Sequence, residues 1–214
     1  MPYDEEFAPP HIDPETQNPV IYAARFRFKY KDIFDFKGFY EMLHEWLNSK
    51  DWHDREGKDH YEDFYLEKID PGDFREIHIW WRPEKSNDLL SEGTKFYRWK
   101  MRIDFKILAL KSTEIMYQGH KLKVDKGEVE MKIWSFVELI GYKEWMKHPI
   151  LKHFYQIFVR RILEADLTKQ KTRLYRETYE MQNMMKNYLQ MKLFLPITFG
   201  EQFHESGAYP SWKK

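Results

Sequence analysis

Apolar and charged residues alternate along KFYRWKMRIDFKI, residues 95–107. Tyr97, Trp99, Met101, Ile103, Phe105 and Ile107 share one parity, and Arg98, Lys100, Arg102, Asp104 and Lys106 the other. Successive side chains of a strand point to opposite sides, so the spacing predicts a strand with one apolar wall and one mainly cationic wall. IYAARFRFKYK repeats the pattern, setting Tyr22, Ala24, Phe26, Phe28 and Tyr30 against Arg25, Arg27, Lys29 and Lys31.

The period then changes. DFKGFYEMLHEWLNS places Phe36, Phe39, Tyr40, Leu43, Trp46 and Leu47 at helical spacing behind Asp35, a residue suited to capping the first turn. YEDFYLEKI and FREIHIWWR flank Asp70-Pro71-Gly72-Asp73, the composition of a turn, and predict a hairpin. After the loop SNDLLSEG and the strand described first, TEIMYQGHKLKV and EVEMKIWSFVEL read as two further strands joined by a turn at Asp125-Lys126-Gly127. Beyond Gly141 the helical period returns. His148-Pro149 opens a helix striped with Ile150, Phe154, Ile157, Phe158 and Ile162, and a second helix starts near Asp166 and runs toward Phe194, where Pro196 stops it.

Short connections favour antiparallel neighbours, so the prediction is an α+β fold: a curved antiparallel sheet of six or seven strands packed on a long C-terminal helix, with one helix after the first strand. Residues 1–19 form an acidic arm with five prolines, expected to be disordered. Residues 20–141 carry the sheet and its inserted helix, 142–194 a helical hairpin packed on that sheet within the same domain, and 195–214 an irregular tail. This order is similar to the helix-grip fold of the START and polyketide-cyclase-like superfamily. The resemblance is one of topology over residues 20–194, with one helix after the first strand where the family has two. It implies a cavity between the sheet and the last helix. MYQGHKLKVDKGEVE and KHPILKHFYQIF resemble archaeal open reading frames, a likeness that implies no activity.

Composition narrows the chemistry. With no cysteine among the 214 residues there are no disulfides, thiolate metal sites or cysteine nucleophiles. No stretch approaches the roughly 18 consecutive apolar residues that span a bilayer, and the N-terminus lacks a secretory pattern; a cytoplasmic protein without a membrane span is expected. GxSxG, GxGxxG and GxxxxGK[ST] are absent, the acidic and histidine-rich loop 51–60 has no fixed ligand geometry, and the carboxylate spacings single out no acid and base pair. Catalytic residues, metal and cofactor are accordingly assigned to none, and the reading leans away from an enzyme.

Two binding surfaces follow instead. Phe26, Phe28, Trp81, Trp99 and Phe105 should face Met181 and Met185 of the long helix, as plain core or as the lining of a pocket for a small apolar ligand. The net charge of zero hides a gradient: residues 142–194 hold 11 basic and five acidic groups. Arg160, Arg161, Lys169, Arg173 and Arg176 lie there, the last three at i, i+4, i+7 spacing. That cationic face suits an anionic partner, protein or nucleic acid, and residues 160–190 also suit contact with a second copy of the chain. The cationic sheet face could likewise bind RNA, but its aromatics share the opposite parity, and the expected state is a salt-bridged outer surface.

Overall fold

The computed structural model describes residues 12–13, 16–85, 97–117, 120–157, 161 and 163–190. The expectations for the arm before Ile12, the loop SNDLLSEG, Phe158, Arg160, Ile162, Phe194 and the tail fall outside the described residues. Six strands are present among the described residues: β1 (Val20–Phe34), β2 (Glu62–Asp70), β3 (Phe74–Trp81), β4 (Glu84–Lys85), β5 (Tyr97–Tyr117) and β6 (His120–Leu139). They form one open antiparallel sheet ordered β1-β6-β5-β3-β2, with β4 pairing β5 beyond the end of β3. Helix α1 (Phe36–Ser49) follows β1; α2 (Tyr142–Lys147), α3 (Leu151–Ile157) and α4 (Glu164–Tyr188) follow β6.

Parity organises the core. Trp99, Met101, Ile103 and Phe105 of β5 are buried with Ile77, Ile79 and Trp81 of β3, Met131 and Ile133 of β6, and Phe26 and Phe28 of β1. That apolar layer is closed by Phe39, Met42, Leu43, Trp46 and Leu47 of α1 and by Leu174, Met181 and Met185 of α4. Helix α4 lies against β1 and β6 and touches α1. Asp35 caps α1 as its position suggests, its side chain accepting from the Gly38 amide at 3.0 Å. At the centre of the α4 contact, Thr178 Oγ1 lies 2.8 Å from Ser135 Oγ, whose hydroxyl donates to the Ala24 carbonyl at 3.3 Å. The chain thereby satisfies a polar group beside the irregularity between Tyr22 and Ala24 in β1.

The turn expected at Asp125-Lys126-Gly127 is not there. Both residues flanking it continue in β6, and the β5–β6 reversal falls between Tyr117 and His120. Gly127 has a different use: a Cβ on it would stand 3.0 Å from Leu110 Cα. The pairing of β5 with β6 shifts at that point, between Leu108 and Lys111, where Ala109 has a φ of 52°. A glycine opposite the bulge allows the two backbones to approach, which is a reason for glycine in a strand that composition alone confuses with a turn. Two long strands consequently replace the shorter segments expected from the sequence. The C-terminal helices differ as well: a separate short helix, α2, precedes His148, and α4 starts at Glu164. Gly141, with a φ of 84°, makes the turn from β6 into α2.

Candidate functional site

The aromatic residues nominated for a ligand all lie on the helix-facing side of the sheet. Phe26, Phe28, Trp81, Trp99, Phe105, Met181 and Met185 belong to one contiguous buried cluster. Trp81 makes an edge contact with Phe105 at 5.0 Å between ring centroids and with Tyr40 of α1 at 4.7 Å. Phe28 stacks on Phe39 at 6.4 Å, and Phe26 meets Tyr179 of α4 at 6.2 Å. Within this cluster the indole nitrogens of Trp46 and Trp99 are buried without a hydrogen-bond acceptor among the described residues. The indole of Trp52 differs, donating to Glu177 of α4 at 2.6 Å.

Among the nominated cations, Arg161, Lys169, Arg173 and Arg176 are exposed, with Lys171 beside them. Tyr175, on the same helix, is 44% exposed and packs on Tyr179 at 4.5 Å. Helix α3 behaves differently from α1, where Phe39, Leu43, Trp46 and Leu47 of the stripe are buried and Phe36 and Tyr40 partly so. Ile150 is 62% exposed, Leu151 39%, Phe154 55% and Ile157 55%.

On the opposite side of the sheet, the charged parity forms cross-strand pairs. Arg27 bonds Glu130 at 2.9 Å, and Lys29 bonds Glu128 at 2.7 Å, which holds the Glu128 carboxyl below its ordinary range. This face is not free of rings, contrary to the expected sorting. Phe64 and Trp80 stack at 4.4 Å, with the Arg82 guanidinium 5.7 Å from the Trp80 ring, and Trp134 and Phe136 share the parity of Arg102 and Lys100.

One cation of that face is not in solvent. Lys100 is only 4% exposed, because the N-terminal segment lies over it. Its ammonium reaches Asp13 at 2.7 Å, Glu138 at 3.2 Å and Glu84 at 3.3 Å. Arg98 adds a bond to Glu84 at 3.1 Å, and Arg102 lies 3.8 Å from Asp13 and over the ring of Phe136. Burial lowers the Arg102 guanidinium from its ordinary value, an effect that Asp13 counters in part. Glu138 accepts further hydrogen bonds from Thr16 and, at 2.8 Å, from Asn18. Glu84 is held by the backbone bridge to His53. A recess of about 10 Å3 lined by Asp13, Arg55, Arg82, Glu84, Lys100 and Arg102 has room for one water molecule. The cluster is a clasp: three carboxylates from separate parts of the chain converge on one lysine, and Coulomb attraction holds the N-terminal segment on the sheet.

Asp13, Glu84 and Glu138 have no signal in the sequence beyond being acidic, since they stand 54 to 125 positions from one another in the chain and converge only through strand pairing and their contacts with Lys100. Lys100 was legible as an outward side chain, but nothing in the alternation announces its cover. Neither a protein-family model nor a curated protein matches the chain.

Removing the ammonium leaves three carboxylates in a poorly solvated site. Lys100→Ala should therefore cost about 3–5 kcal/mol in chemical denaturation at neutral pH, and pairing it with Asp13→Asn should recover part of the loss. A single-variant cost under about 1 kcal/mol, or strictly additive effects, would contradict the clasp.

Proposed function

We propose that the chain is a non-enzymatic interaction domain that meets an anionic partner with its C-terminal helices. The observation that carries this reading is the concentration of exposed Arg161, Lys169, Lys171, Arg173 and Arg176 in the C-terminal segment, together with the exposed apolar stripe of α3. Cations of the sheet face are engaged with Glu128, Glu130, Glu84 and Asp13. On α4, Lys169, Arg173 and Arg176 present exposed cations along one helix face. Such a surface attracts anions over about a Debye length and loses affinity as salt rises.

A second reading is a domain that also holds a small, mainly apolar ligand between sheet and α4, in the manner implied by the helix-grip likeness. The buried indole nitrogens of Trp46 and Trp99 favour it, since a ligand carrying one carbonyl or hydroxyl oxygen would satisfy a donor that lacks an acceptor among the described residues.

Reversing Lys169, Arg173 and Arg176 to Glu should lower affinity for heparin, used as a soluble polyanion, by at least about tenfold and flatten its salt dependence. Unchanged retention would remove the cationic face from the contact. For the ligand reading, native mass spectrometry of the purified chain should show an adduct of lipid-like mass that disappears in Met181→Trp, where the larger ring would occupy the proposed ligand's place. A chain that never carries an adduct when offered fatty acids and sterols would end it.

A further inference from the structure

Helix α3 has two sides with different surroundings. On one, Tyr155 packs on Tyr142 at 5.0 Å and Trp145 at 6.0 Å, so α3 is seated on α2. Its entry is fixed by His148, whose Nδ1 lies 3.3 Å from the backbone amides of both Ile150 and Leu151. The other side presents Ile150, Phe154 and Ile157 at i, i+4, i+7 spacing with Leu151 alongside, each between 39% and 62% exposed. Three exposed apolar side chains on one seated helix, with Ile150 just ahead of it, constitute a surface built for a partner, not a scatter of single exposed residues.

The charge around this stripe selects the partner. Residues 142–163 carry Lys143, Lys147, Lys152, Arg160 and Arg161 against the single acid Glu144. Lys143, Lys147, Lys152 and Arg161 are exposed. A second copy docking α3 on α3 would bring two such cationic segments together and pay their repulsion. An anionic lipid surface offers the complement at both levels: acidic headgroups for the lysines, and an acyl boundary beneath them for Ile150, Phe154 and Ile157. We infer that α3 is a membrane-surface helix that lies in the headgroup region of an anionic bilayer, inserting its apolar stripe without spanning. The inference rests on the proposal that the C-terminal helices meet an anionic partner, and names that partner. It is compatible with the absence, among the described residues, of any helix long and apolar enough to cross a membrane.

The test is flotation of the full chain with vesicles of phosphatidylcholine containing about 30% phosphatidylglycerol, beside pure phosphatidylcholine vesicles. The chain should float with the anionic vesicles at least about tenfold more than with the neutral ones, and Phe154→Asp with Ile157→Asp should abolish this. Thermal unfolding of that variant should match the parent, because both side chains are already in water; Phe154→Ser with Ile157→Ser should show the same loss if the charge of Asp itself is at issue. A chain that ignores vesicles yet keeps salt-sensitive retention on heparin would overturn the membrane assignment and leave the anionic-partner proposal standing. Failure with both would overturn both. Vesicle binding that survives the Phe154 and Ile157 variants, or a dimer in sedimentation that those variants dissociate, would also overturn it, the dimer making a second copy the occupant.

Discussion

The structure depends on the strict two-sidedness of β5. Every residue from Tyr97 to Ile107 faces either the helices or the outer surface, and β5 is the strand flanked by β6 on one edge and by β3 and β4 on the other. Because side chains alternate, placing Trp99, Ile103 and Phe105 inward fixes where Lys100, Arg102 and Asp104 must be. A slip of one residue would drive cations into the layer formed with α1 and α4 and strand the rings in water. Burial of each large apolar side chain contributes roughly 1.5–3 kcal/mol, so the register is specified several times over along one strand.

That arrangement leaves a cationic surface to be neutralised, and the molecule does so in two ways. Toward β1, Arg27 and Lys29 find carboxylates on the neighbouring strand while their own side chains stay half-exposed, contributing little to stability. Toward the other end, Asp13 and its neighbours fold back over Lys100 and shield it. The second solution is energetically sensitive: desolvated ions are tolerated only while all of their partners are in place. It converts an otherwise featureless N-terminal segment into a covering element, with the Ile12–Pro19 bridge closing it.

Much of the fold is legible in local pattern. The alternation of β1 and β5, the cap at Asp35, and the β2–β3 turn, where Gly72 and Asp73 take φ values of 102° and 61°, follow from rules that act over a few residues. Gly127 misleads because a glycine needed for backbone approach and one needed for a turn are identical in a sequence; only the bulge at Ala109 on the partner strand distinguishes them. The clasp is invisible for a related reason, its members being brought together by pairing and by nothing local. Helix α3 shows the limit from the other direction. Its period marks an amphipathic helix in the same way as that of α1, yet one stripe is covered and the other open, and periodicity carries no information about what covers a face. Equally, Trp99 and Phe105 are readable as inward-facing, while the difference between a core residue and a ligand wall lies in packing.

The absence of cysteine from the chain gives a direct test of this account. Single substitutions Ile103→Cys, Asp104→Cys, Phe105→Cys and Lys106→Cys would be assayed for their rate of reaction with a soluble thiol reagent under native conditions. The account predicts fast labelling at 104 and 106 and protection at 103 and 105. Equal rates at neighbouring positions, or fast reaction at 103 and 105, would contradict a two-sided β5 and the architecture built on it.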